Sequence, residues 1–237
     1  MVRRLAAVVA SLIMETPFLS HPDPDHRTAP ATAARQIALT RLHDEIAACQ
    51  RCVADGYIPS AHPIFKGAIG QRLMVLGQAP AAPDRERPRP YMGASGRTLR
   101  TWLSRAGFDE AALYERCYLT SLTKCFPGSS PSGKGDRAPS AREIGYCRGH
   151  LARELALVQP EIIITLGRLA AVALLGNAAL SDLVGTLRPL ARPDLSCLVL
   201  PLPHPSGVSR WLNDPVNQGR HQQALALLAA ERIRRGL

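Results

Sequence analysis

Aromatic residues are scarce, at 5% of the chain. A module that grips single strands by stacking rows of bases on aromatic rings needs more, which argues against that class. Long apolar runs are also missing: no stretch of the sequence is long and apolar enough to cross a bilayer as a helix, and no membrane partner is expected. Acidic residues are few, 19 Asp+Glu against 29 Lys+Arg, which leaves a formal net charge of +10. Such an excess favours an anionic partner, and for a basic chain nucleic acid is the commonest. Six cysteines in 237 residues are too thinly spread for a secreted disulfide scaffold. What is plentiful is hydrophobic, 46% of residues, enough for the core of one good-sized domain.

The chain divides at about residue 35. "MVRRLAAVVASLIM" has two arginines before a short apolar run, the outline of a secretory signal. "HPDPDHRTAPATAA" follows, rich in proline and small polar residues, and reads as disordered linker. Residues 1–35 are therefore expected to be a dispensable extension, or one that precedes a true start at Met14. Residues 36–237 are expected to form a single domain.

In that domain strand and helix signals alternate. "RLMVLG" (72–77), "CYLTSLT" (117–123), "EIIITLG" (161–167) and "CLVLPL" (197–202) are nearly continuous apolar runs, as parallel strands covered on both faces require. Helices are predicted near 95–106, 140–158, 168–176 and 217–235, and Ser140 followed by Glu143 forms a capping-box start for the second. The pattern predicts an α/β fold: a three-layer α/β/α sandwich around a central, mostly parallel four-stranded sheet. Chemistry in such folds gathers at the carboxyl ends of the strands.

Those ends carry "GQAPA" (77–81), "TSLTKC" (120–125), "GRLAA" (167–171) and "PLPHPSG" (201–207). In the last, Pro203 and Pro205 fix the backbone on either side of His204 and forbid a helix there. His204 is thereby held in a rigid loop at a strand end. "RPYMGASGRTL" (89–99) places Tyr91 ahead of a Gly-x-x-Gly that opens a helix, whose free amides could receive an anion.

Of the cysteines, Cys117 and Cys197 begin strand-like runs and read as core residues. Cys49 and Cys52 form a C-x-x-C, Cys125 follows a strand, and Cys147 sits on a helix. One close pair joined by two distant single residues leaves both zinc and an iron–sulfur cluster open.

Taken in order, "CQRC", "GQAPA", "PYMGASG", "TSLTKC", "YC" and "HPSG" resemble the uracil-DNA glycosylase superfamily, and within it the iron–sulfur branch of families 4 and 5. The resemblance runs from Cys49 to the C-terminus. It implies a cytoplasmic, monomeric base-excision repair enzyme that flips uracil or another deaminated base out of DNA and hydrolyses its N-glycosidic bond. It also implies a 4Fe–4S cluster held by Cys49, Cys52, Cys125 and Cys147. By match to its motifs, His204 donates to the base carbonyl as negative charge develops. Tyr91 stacks on the flipped base, and Gln78 with the neighbouring Ala79 lines the base edge and the water site.

This chain also departs from the pattern. Family 4 has glutamate where Gln78 stands, and "GQAPA" holds no carboxylate to activate water. Asp84 and Glu86 are the nearest acids, in an arginine-rich loop that reads as a solvated charge cluster. Ser121 stands where family 4 reads the base with asparagine, and its shorter hydroxyl implies a wider base range that includes hypoxanthine. The missing acid keeps a second class open, a glycosylase-like protein that binds lesions or single strands with little turnover. DNA contacts are expected from Ser206, Gly207 and Arg210, with Val208, Trp211 or Leu212 as the wedge entering the vacated stack. Arg97 and Lys124 are expected to meet phosphates.

Overall fold

A computed structural model describes residues 29–86, 89–109, 111–133, 135–193, 195–207 and 209–237. Helix α1 (Ala29–Ala47) buries Leu39, Leu42 and Ile46, spaced to fall on one helical face. A short turn, α2 (Arg51–Ala54), follows. Strand β1 (Leu73–Gly77) leads to α3 (Ala82–Glu86) and α4 (Ala94–Arg105). The one-turn α5 (Ala112–Glu115) precedes β2 (Cys117–Ser121). Helix α6 (Ala141–Val158) begins with the expected capping box between Ser140 and Glu143. Then come β3 (Ile162–Leu166), α7 (Gly167–Leu175), α8 (Leu180–Leu183), β4 (Arg188–Arg192) and β5 (Leu195–Leu202). A 3₁₀ turn at Trp211–Asn213 leads into α9 (Pro215–Arg235), capped by Asp214 with Pro215 in its first turn.

The sheet runs β2-β1-β3-β5-β4. β1, β2, β3 and β5 are parallel, and β4 runs antiparallel along β5. Alternate side chains of each strand feed two cores. Met74, Leu76, Ile163 and Val199 pack with α1, α6 and α7, while Leu73, Val75, Ile164 and Leu200 pack with α4 and α9. This is the expected three-layer sandwich, with five strands in place of four.

The extra strand is "RPLAR", whose only inward side chain is Leu190. One buried position gives no run or alternation long enough to read as a strand. Its edge position also tolerates Pro189. Pro201 lies beyond the stretch of β5 that β4 pairs, so its missing N–H leaves no unmade ladder bond on that side.

Helix α1 begins at Ala29, ahead of the expected boundary at residue 35. Arg35 Nε donates to the Leu157 carbonyl at 2.9 Å, which ties these first turns to the end of α6. The earlier part of the expected extension, residues 1–28, lies outside the described residues. Among the described residues no helix is long and apolar enough to cross a membrane.

Candidate active site

From β1 the chain steps outward to β2, then returns across the sheet to β3 on the other side. The carboxyl ends of β1 and β3 therefore diverge, and a crevice must open between them. A cavity of about 710 Å³ lies there. Gly77, Gln78 and Ala79 line it from β1, Leu166 and Gly167 from β3, and His204 and Ser206 from the loop after β5. Tyr91 and Gly96 close it from the start of α4. Four segments that the sequence singled out separately thus share one wall.

His204 is half-buried, and the Ser206 backbone N–H donates to its Nδ1 at 3.2 Å. Burial lowers its pKa below the ordinary histidine value. With Nδ1 accepting, the neutral ring carries its proton on Nε2, so the cavity is offered a donor and no formal charge. Gly167 makes this placement possible. Its φ is +82°, and a Cβ there would come within 3.3 Å of the His204 Cβ and Cδ2.

Tyr91 takes a left-handed backbone, φ +61°, unusual for an aromatic residue. Its carbonyl is held by Tyr114 Oη at 3.2 Å and Arg100 Nη1 at 3.4 Å. Gly96 is what lets α4 start so close: a Cβ at that position would lie 1.7 Å from the same carbonyl oxygen. The Tyr91 hydroxyl is buried without a hydrogen-bond partner. Burial, followed by the Asp84 charge, raises its pKa, and it stays protonated. A Cβ on Gly77 would lie 2.9 Å from this hydroxyl and 3.6 Å from Ser121 Oγ, so the two hydroxyls share the buried ground behind the β1 terminus. Ser121 is 7% exposed and does not line the cavity.

Cys49, Cys52, Cys125 and Cys147 line one small cavity between α1, α2, the loop after β2 and α6, with Ile46, Ile58 and His150 around them. Burial pushes the Cys52 thiol up to about 12, with Cys147, Glu143, Cys125 and Cys49 adding to it, and the Cys125 thiol up to about 11. Burial raises the Cys147 thiol as well, so Cys52, Cys125 and Cys147 resist ionising unless a cation is shared among them. Among the described residues no group of three or more His, Cys, Asp or Glu converges on a single ion. Ligands ringing a polynuclear cluster each bind a separate iron atom, so convergence on one point is not required of them. Glu143 also lines the cavity, but its carboxylate is taken by Arg137 and the Ser140 N–H, which leaves four sulfurs as the donor set, one that suits iron–sulfur chemistry. Cys117 and Cys197 are buried in the two cores, as expected.

Residues 64–228 match the family model of the Uracil DNA glycosylase superfamily. The chain belongs to that superfamily. It is 29% identical over 194 residues to the "Type-4 uracil-DNA glycosylase" of Pyrobaculum aerophilum, a match that covers 80% of this chain and 92% of the relative. The protein of the same name from Sulfurisphaera tokodaii is 27% identical over 132 residues, 55% of either chain. The "Type-5 uracil-DNA glycosylase" of P. aerophilum is 34% identical over 115 residues, 44% of this chain and 48% of the relative. The expected enzyme class, hydrolysis of N-glycosyl bonds, stands on this membership.

Within this glycosylase fold Lys124 does not meet phosphate. It is 2% exposed, and its Nζ donates to Glu154 Oε2 at 2.6 Å, Thr120 Oγ1 at 2.5 Å and the Ser121 carbonyl at 2.8 Å. Glu154, fully buried on α6, also accepts from Tyr118 Oη at 3.0 Å, which in turn accepts from His43 Nε2 at 2.8 Å. A buried ammonium requires such a partner, and one residue later Cys125 reaches the cysteine cavity.

Arg97 and Arg210 are exposed, as DNA contacts require. Ser206 and Gly207 lie in the turn beside His204, closed by the Ser209 N–H on the Ser206 carbonyl at 3.0 Å. Trp211 and Leu212 pack against the α4–α9 core, which makes them anchors beneath the loop. Val208, the remaining wedge candidate, lies outside the described residues.

Among the described residues two carboxylates also line the glycosylase cavity, Asp84 and Asp136, the second of which the sequence did not single out. Asp84 is 4% exposed, so the solvated-cluster reading does not hold for it. Glu86's side chain lies outside what is described.

Proposed function

We propose that this chain excises uracil from DNA, leaving an abasic site, and acts on hypoxanthine as a further substrate. The type-4 and type-5 names of its relatives support the uracil reading. The observation that carries it is His204, a neutral, proline-braced imidazole whose Nε2–H is free to meet a base carbonyl. Breaking the N-glycosidic bond sends the electron pair to the base, and its carbonyl oxygen gains negative charge. A donor already aimed there needs no reorganisation, and it stabilises the transition state more than the neutral base. Tyr91 supplies the stacking surface for the flipped nucleotide and Gln78 and Ala79 its edge, while Ser121, which does not line the cavity, brings no side chain to the base, in keeping with a wider base range. Arg97, Arg210 and the Ser206–Gly207 turn hold the flanking strand, in keeping with the net charge of +10. The enzyme works as a cytoplasmic monomer.

The test is incubation with oligonucleotides carrying uracil or hypoxanthine, single- or double-stranded, followed by alkaline cleavage of abasic sites. Breaks at uracil are expected. Retention of the oligonucleotide without breaks would overturn the enzymatic reading in favour of lesion binding.

Cys49, Cys52, Cys125 and Cys147 would hold a 4Fe–4S cluster. Bound there, it supplies a structural cross-link between α1, α2, the β2 loop and α6. Protein purified without oxygen is expected to be brown, and Cys125→Ala to lose both colour and solubility. Colourless protein with one zinc per chain would end this assignment.

A further inference from the structure

Hydrolysis needs a group that takes a proton from water, and "GQAPA" contains none. Of the two carboxylates that line the cavity among the described residues, Asp84 is buried, 4% exposed, and held by a backbone N–H on each oxygen. Its Oδ2 accepts from the Ala81 N–H at 3.1 Å and its Oδ1 from the Met92 N–H at 2.8 Å. It shapes the wall between the "GQAPA" loop and Tyr91.

Asp136 is differently placed. It comes from the segment joining β2 to α6, and its backbone is fixed by a bridge to Ser129. The Ala82 N–H, at the start of α3, bonds its carboxylate and carries it to the end of the "GQAPA" loop. Its neighbour Arg137 is clamped on Glu143 by two bonds of 2.7 and 2.8 Å and on the Tyr57 carbonyl at 3.2 Å, so the segment cannot swing away. Asp136 is exposed, with acceptor capacity left towards the cavity it lines with Gln78 and His204.

We propose that Asp136 is the general base of the reaction, the carboxylate that replaces the acid missing from the "GQAPA" loop. This rests on the uracil-excision reading above. The water oxygen bonds to C1′ of the deoxyribose as the C1′–N1 bond breaks. One water proton passes to the Asp136 carboxylate. The N-glycosidic electron pair leaves with the base as an anion, hydrogen-bonded by His204 Nε2–H, and solvent later protonates it. Among the described residues Asp84, Tyr91, Arg137, Arg168 and His204 are the charged or titratable groups that share the cavity. Desolvation on the side that faces the cavity, then the Asp84 charge, raises the Asp136 pKa, which makes its carboxylate a stronger proton acceptor.

Asp136→Asn keeps the shape and an oxygen for the Ala82 N–H while removing the base. Single-turnover excision on one uracil oligonucleotide is expected to fall by roughly 10²–10⁴, with DNA affinity unchanged. Asp136→Ala should fall as far and recover in part when formate is added, since a small carboxylate can occupy the vacated space. If the parent excises uracil and Asp136→Asn does so within a few-fold, the base role is overturned while the function stands. If the parent leaves uracil in place, both are overturned. Weakened DNA binding in both variants with no response to formate would make residue 136 architectural and also defeat the proposal.

Discussion

His204→Ala is expected to bind uracil-containing DNA as the parent does and to lose ~10²–10³ of its excision rate. The effect is differential because a neutral carbonyl gains little from the Nε2–H donor and a developing oxyanion gains much. The Ser206 N–H on Nδ1 fixes which nitrogen carries the proton, and burial keeps the ring neutral. Since the His204 pKa is lowered, the loss of the neutral form on acidification comes below the ordinary histidine range, and excision at neutral pH should show no titration from this residue. Single-turnover kinetics beside an equilibrium binding measurement separates the two effects. A variant that still excises within a few-fold of the parent would remove His204 from the mechanism. Binding lost in step with rate would instead make it a ground-state contact.

Glu154→Ala should be the most destabilising of the single changes considered. It strands the Lys124 ammonium, which is 2% exposed and would keep only Thr120 Oγ1 and the Ser121 carbonyl. Breaking one side of a buried pair costs about 3–5 kcal/mol, or roughly 6–20 °C of melting temperature for a chain of this size. Replacing both partners by apolar residues, Lys124→Met with Glu154→Leu, should recover most of that loss, because no charge is left unpaired. Thermal melts of the three proteins decide the matter; a single variant that melts with the parent would show that the pair does not support the fold. The network spans from Ser121 to the neighbour of Cys125, so the single variant should also lose the brown colour expected of the proposed cluster.

How much of this could be read from the sequence depended on where the signal lay. The four parallel strands were legible because strands covered on both faces must be apolar along their length, as "EIIITLG" is. The edge strand at 188–192 was not, since only Leu190 turns inward. His204 was legible through the two prolines that fix it. Lys124 was misread because its partner lies thirty residues away on another element, and nothing local distinguishes a lysine facing phosphate from one facing a buried glutamate. Asp136 went unseen in a stretch of Gly, Ser and Pro whose course only the fold reveals. Tyr91 was identified as the aromatic wall, but its left-handed backbone could not be inferred from its identity.

The 1.7 Å approach between a Cβ at position 96 and the Tyr91 carbonyl couples two positions in heredity as well as in space. A lineage that places any side chain at 96 must give up the left-handed turn at 91, and with it the aromatic wall of the pocket. Drift through this segment is therefore closed one residue at a time, and the pair can be replaced only by a rebuilt loop that enters α4 another way.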